Sequence, residues 1–177
     1  LDGYDAPRPE MAEENWQTMA TNLTRISDYA SSQGITAVIH PHAGTRVETK
    51  ADVDEVRART SMPFCLDTGH SWIGGTDPVA FAKDHGDRVG HVHFKDVRLD
   101  IAQRVRDGEL SYYDAVTEGL YTPLGQGDVD VKGITSTLIS QGYTGWFVLE
   151  QDNVMRQEPD SGGGPMVDAK ASVEFLR

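Results

Sequence analysis

Four short apolar runs in the sequence each stop at a residue that can ligate a metal. The run Ile35 to Ile39 ends in His40-Pro41-His42, "MPFCLD" (62–67) ends in Asp67, "RVGHVHF" (88–94) places His93 next to its end, and "GWFVLE" (145–150) ends in Glu150. Two neutral imidazoles and two carboxylates suit a divalent cation, Mn²⁺ or Co²⁺ first and Zn²⁺ or Fe²⁺ as alternatives, with positions left open for substrate. Either His40 or His42 fits the first place. A lone histidine at a strand end is more often a hydrogen-bonded or surface residue. Asp67 before Thr68-Gly69 can merely shape a turn, and Glu150 can be a rim charge. It is the recurrence at all four strand ends that favours one shared pocket.

For these tips to meet, the runs must be neighbouring parallel strands, whose carboxyl ends face a common crevice. The intervening sequence supplies the helices that parallel strands need. Pro9 to Gln33 carries Trp16, Met19, Leu23, Ile26 and Ala30 at helical spacing and is stopped by Gly34. Further helices are expected at Ala51–Arg59, from Asp77-Pro78 to about Gly86, at Ser111–Glu118, at Val131–Ser140 and at Met166–Leu176, with "EPDSGGGP" a flexible loop. Strands alternating with helices indicate an α/β fold with a parallel sheet. The tips recur at about 27, 26 and 57 residues, one, one and two βα units, with an inserted segment in the last step. Side chains alternate along a strand, so His93 and Lys95 are expected to share the pocket face with His91 a layer deeper. Lys95 reads equally well as a surface lysine. Cys65 reads as a small core residue, and Trp146 and Phe147 as packing to either side.

Bulk properties narrow the function. The 177 residues, 38% of them hydrophobic, suit one domain or part of one. A formal net charge of −12 argues against nucleic acid as a partner. No apolar run approaches a membrane span, so no membrane partner is expected. Leu1 to Asp5 lacks the basic and apolar regions of a signal peptide. With one cysteine and no internal disulfide, a cytoplasmic location is the default expectation. The absence of an initiator Met suggests processing, or a piece of something longer.

The stretches "VIHPHAGTRVET", "CLDTGH", "GHVHFKD", "PLGQGDVD" and "GYTGWFVLEQD" resemble the xylose-isomerase-like barrels of AP-endonuclease family 2, and among them most closely the inosose (2-keto-myo-inositol) dehydratases. The resemblance runs from about Arg8 to Arg177. It implies a parallel (β/α) barrel of TIM type with only the last four βα units present. Residues 1–177 would then be the C-terminal half of a single (β/α)8 domain, the N-terminal half being absent from this chain. Such a half has open sheet edges, so a homo-oligomer or a chain completing the barrel is expected.

Carried over by position, the resemblance implies His40, Asp67, His93 and Glu150 as metal ligands. Many sugar epimerases of this superfamily have a glutamate where His40 stands. Its replacement weakens the epimerase reading, fits the dehydratase-like members, and leaves His40 or His42 as the ligand. The implied enzyme is a metal-dependent carbon–oxygen lyase that removes water from a cyclic keto-polyol through an enolate. His42 or Glu150 would be the base, and Lys95 or His70 the proton donor to the leaving hydroxyl. His70, Lys95 and Arg98 would contact substrate, His70 alternatively orienting Asp67. Alternatives are a sugar isomerase or epimerase, a 3-keto-glycoside lyase, or a non-catalytic truncated paralogue. Replacing Asp67 or His93 by Ala is expected to abolish metal loading without unfolding the chain.

Overall fold

A computed structural model describes residues 9–177; the reading of Leu1–Asp5 lies outside the described residues. The chain runs through α1 (Glu13–Ser32), α2 (Lys50–Arg59), β1 (Phe64–Asp67), α3 (Thr68–Ile73), α4 (Pro78–His85), β2 (Val89–Phe94) and β3 (Asp96–Val97). It continues through α5 (Leu99–Arg106), α6 (Tyr112–Thr117), β4 (Tyr121–Thr122), α7 (Val131–Ser140), β5 (Phe147–Leu149) and α8 (Pro165–Leu176). Strands β1, β2 and β5 form a parallel sheet in that order. Ile39 adds a fourth position beside β1 through a parallel bridge to Phe64. The inserted segment between His93 and Glu150 contains α5, α6 and the small antiparallel pair β3–β4.

The strand expected over 35–40 is reduced to that single bridge, and two prolines explain why. Ile39 N–H donates to the Pro63 carbonyl (2.9 Å), and Cys65 N–H donates to the Ile39 carbonyl (2.8 Å). The next ladder bond on one side would need an N–H from Pro41, and on the other an N–H from Pro63. Proline has none, so the ladder is bracketed at both ends.

One face of the sheet packs against helices. Phe64, Leu66, Val92 and Phe94 are buried in one core with Val53, Val56, Ala82, Ile134 and Leu138. Phe64 meets Phe81 edge-on (5.4 Å), and Phe94 stacks on Phe147 (5.3 Å). Helix starts follow from local chemistry. Asp77 accepts from the N–H groups of Val79 and Ala80, Asp130 from Gly133, and Thr49 and Asp52 form a reciprocal capping box.

Three expectations need correction. The stripe of α1 is only partly covered: Trp16 is buried, but Ile26 and Tyr29 are exposed. Trp146 does not pack; it is 78% exposed, while Phe147 beside it is half-buried. Helices α3 and α5 also form where none was expected. Asp67 caps α3 through the His70 N–H, and the Asp128 carboxylate accepts from Leu99 N–H at the start of α5 (2.8 Å). A capping partner 29 residues away leaves no local trace in the sequence.

Candidate active site

The strand ends bring their polar tips together on the sheet face opposite the helix-packed core. Register pairs Cys65 with His91 and Asp67 with His93, so imidazole and carboxylate sit side by side on adjacent strands. Asp67 is 1% exposed and uses its oxygens separately. Its Oδ1 accepts the His70 backbone N–H (2.8 Å), capping α3. Its Oδ2 faces His40 Nε2 (3.3 Å), His93 Nδ1 (3.7 Å) and Lys95 Nζ (2.9 Å). Turn-shaping and pocket-forming are therefore one role for this residue. Asp67, His93 and Glu150 each offer a ligand atom, all within 4.8 Å of one another; His40, Cys65 and His93 form a second such group.

Lys95 is not a surface residue. It is 3% exposed, and its ammonium lies 2.9 Å from Asp67, 2.6 Å from Glu150 and 3.4 Å from Asp152. Burial works against its positive charge, but the Asp67 charge and hydrogen bonds to Glu150 and Asp67 outweigh that and hold the amine above its ordinary range. Burial likewise works against the Asp67 charge. The imidazoles of His40 and His93, with the charge of Lys95, hold its carboxyl well below the usual range. Asp67 raises His93, against its partial burial.

The donor set fits a divalent ion on an observation of its own. His93 Nδ1 is buried without a hydrogen-bond partner among the described residues, although Glu150 Oε1 is 3.2 Å away and Asp67 Oδ2 3.7 Å away. A buried nitrogen in ion-pair range of one carboxylate and near a second, yet without a hydrogen bond, is uncommon protein packing, and a divalent ion between these donors would satisfy all three. Cys65 is a weaker donor. Burial, with the charges of Asp67 and Glu150, pushes its thiol up to about 12, so it stays protonated.

The other histidines sit to one side. His42 packs against His70 with ring centroids 3.5 Å apart and planes tilted by 35°, and its ring lies 5.3 Å from that of His40. His42 Nδ1 lies 2.8 Å from the Ala43 carbonyl, which can only accept, so Nδ1 carries the proton and Nε2 is the basic nitrogen. His70 is fully buried, and burial lowers it to about 2. Its Nδ1 accepts from Ala43 N–H (3.5 Å), so the ring is neutral with its proton on Nε2, which has no hydrogen-bond partner among the described residues. His91 lies a register step below His93, rings 5.2 Å apart. Arg98 stands apart: it precedes α5, is exposed, and pairs with Asp100 (2.9 Å).

The support is local. Thr68 Oγ1 donates to the Lys95 carbonyl (2.6 Å) and accepts its N–H (3.0 Å). A Cβ at Gly69 would come within 2.8 Å of Lys95 Cβ, so α3 can approach Lys95 only with glycine there. Asp96, fully buried, accepts from Gly125, Gly127 and Val129 N–H groups at 2.8, 3.0 and 2.9 Å. That clamps the "LGQGDVD" turn beneath the strand ends. Beside the tips opens a cavity of 410 Å³, with His42 in its wall, between α6 and residues 151–154.

Sequence reasoning missed Asp152 and Gln151. Asp152 carried a signal, because two residues past Glu150 the period of a strand returns to the same face.

All 177 residues match the family described as xylose isomerase-like TIM barrels. The chain belongs to that family. Among curated relatives of this barrel, the rhizopine catabolism protein MocC of Rhizobium meliloti is 38% identical over 180 residues, covering 99% of this chain and 54% of MocC. The inosose dehydratase of Geobacillus thermodenitrificans (strain NG80-2) is 35% identical over 148 residues, covering 82% of this chain and 50% of that enzyme. Among solved structures, the IolI protein with a bound zinc atom superposes with a TM-score of 0.64 at 17% identity, over 96% of this chain and 58% of that one. The chain thus spans about half the length of the curated relatives it matches, and its strands form a partial barrel. No helix among the described residues is long and apolar enough to cross a membrane.

Proposed function

We propose that this chain is the ligand-bearing C-terminal half of a metal-dependent dehydratase acting on a cyclic keto-polyol such as 2-keto-myo-inositol. The observation that carries the reading is the convergence of His40, Asp67, His93 and Glu150 from four consecutive parallel positions, with His93 Nδ1 lacking a hydrogen bond. The similarity to inosose dehydratases supports the substrate class, and the zinc in the IolI structure supports a divalent ion. In this reading those four residues hold the ion. Once bound it supplies Lewis-acid polarisation of a ketone and stabilises negative charge developing on its oxygen.

The residues divide the proton work. His42 lines the cavity and keeps Nε2 basic through the Nδ1–H to Ala43, so it is the base that removes the proton beside the ketone. Glu150 is the poorer base, since Oε2 is held by Lys95 and Oε1 faces His93. Lys95 keeps its ammonium and is the donor: the β carbon–oxygen bond breaks, a carbon–carbon double bond forms, and the hydroxyl leaves as water with the Lys95 proton. His70 is a poor donor, because a neutral imidazole yields its Nε2 proton reluctantly.

Incubating the chain, alone and with a segment that completes the barrel, with 2-keto-myo-inositol in deuterated water tests this reading. A dione lighter by one water supports it. Recovery of deuterated isomers of the ketone without that product favours an epimerase instead. Metal analysis should find one divalent ion per chain, lost in His93→Ala; full occupancy in that variant rejects the ligand set.

A further inference from the structure

The 410 Å³ cavity beside the strand ends is within the range of small-molecule pockets. Its walls contain polar groups whose capacity the protein does not use. Gln151 lines it, and its amide oxygen and nitrogen, both closed off from solvent behind that wall, lack a hydrogen-bond partner among the described residues. Buried amides without partners are rare and call for a reason.

Asp152, next along the chain, is 40% exposed at its side chain, and its one polar contact among the described residues is the 3.4 Å approach to Lys95. Lys95 already has two closer carboxylates, Asp67 and Glu150, so Asp152 is not needed to neutralise it. Asn153 lines the cavity as well, but its amide is engaged, 3.5 Å from Asp168 on α8. On the facing wall Tyr113 is 52% exposed on α6, an aromatic face that the fold leaves uncovered. An amide, a carboxylate and an aromatic ring along one cavity suit a polyhydroxylated ring. Turned into the cavity, the amide N–H donates to a hydroxyl oxygen, the carboxylate accepts from hydroxyl protons, and the aromatic face covers ring C–H groups.

We infer that this cavity is the subsite for the hydroxyl-bearing part of the substrate ring, with Gln151 and Asp152 reading a vicinal diol remote from the reacting ketone. The inference rests on the keto-polyol reading and adds the residues that set its specificity. His42 sits in the same wall, so a ring held by Gln151 and Asp152 lies within reach of the proposed base.

The test is binding, separated from metal loading and from turnover. The metal-loaded chain is titrated by NMR with myo-inositol, which lacks the ketone, with 2-keto-myo-inositol, and with cyclohexanol, which lacks the diol. Expected is binding of both polyols, none of cyclohexanol, and about tenfold weaker polyol binding in Asp152→Asn and in Gln151→Leu. Both variants should keep the wild-type metal content and amide spectrum. Wild-type affinity in both variants, with the parent still binding the ketone, overturns the subsite and leaves the keto-polyol reading standing. Loss of metal along with binding overturns it too, because the residues would then act through the ligand cluster. A parent chain that binds neither polyol defeats the keto-polyol reading and the subsite with it.

Discussion

Strand β1 has two faces built from four consecutive residues, and they obey different rules. Phe64 and Leu66 face the helices and are held by hydrocarbon contact, as are Val92 and Phe94 on β2. Cys65 and Asp67 face the other way, beside His91, His93 and Lys95, and there charge and hydrogen bonds do the holding. Changes of shape on the hydrocarbon face are expected to cost stability alone. On the polar face one side chain serves several ends, because Asp67 caps α3, neutralises Lys95 and offers a ligand oxygen to the proposed ion at once.

The largest effect should come from Asp67→Ala. It removes the helix cap and leaves the Lys95 ammonium with one close carboxylate fewer, at a cost of about 3–5 kcal/mol. This revises the expectation that the variant loses metal without loss of stability. Urea unfolding and metal analysis on the same samples check it; a fully stable, metal-free variant would separate the two roles assigned to this side chain. Phe64→Ala, one strand end away on the opposite face, should cost about 3 kcal/mol through its cavity while leaving metal content unchanged. Metal loss in that variant would break the distinction between faces.

Cys65 sharpens the comparison by pH. Its thiol is pushed up to about 12 in the fold, against about 8.5 in an unfolded chain. Between those values the unfolded chain binds fewer protons, so stability must fall as pH rises. By pH 9.5 the loss should reach about 1.4 kcal/mol relative to Cys65→Ala. Parallel unfolding curves for parent and variant from pH 7.5 to 9.5 would contradict the burial assigned to this thiol. The smallest effect belongs to Trp146→Ser. With the side chain 78% exposed, the change should stay within about 0.5 kcal/mol; a larger loss by thermal or urea unfolding would mean that the ring is covered in solution.

Much of the site was legible because strand periodicity is local. His40, Asp67, His93 and Glu150 each sit where an apolar run stops, and Lys95 follows His93 at the spacing that returns to one face. Local signals also placed Asp77-Pro78, the Ser111–Asp114 cap and the whole of α7. The same habit of stopping at the last apolar residue hid Asp152, which lies on the pocket side just past β5. It also led Trp146 to be read as packing, since hydrophobic identity says that a residue can be buried and not whether anything covers it.

The sequence by itself determined the alternation of strands and helices, the polar residue at each strand end, and the two prolines that limit the first strand to a single bridge, because each depends on residues a few places apart. Only the tertiary structure decided that His40 rather than His42 meets Asp67, that Lys95 is buried among carboxylates, and that Asp96 clamps the 124–130 turn. Those outcomes join groups some thirty residues apart, and their energies exist only once packing has removed the water between them.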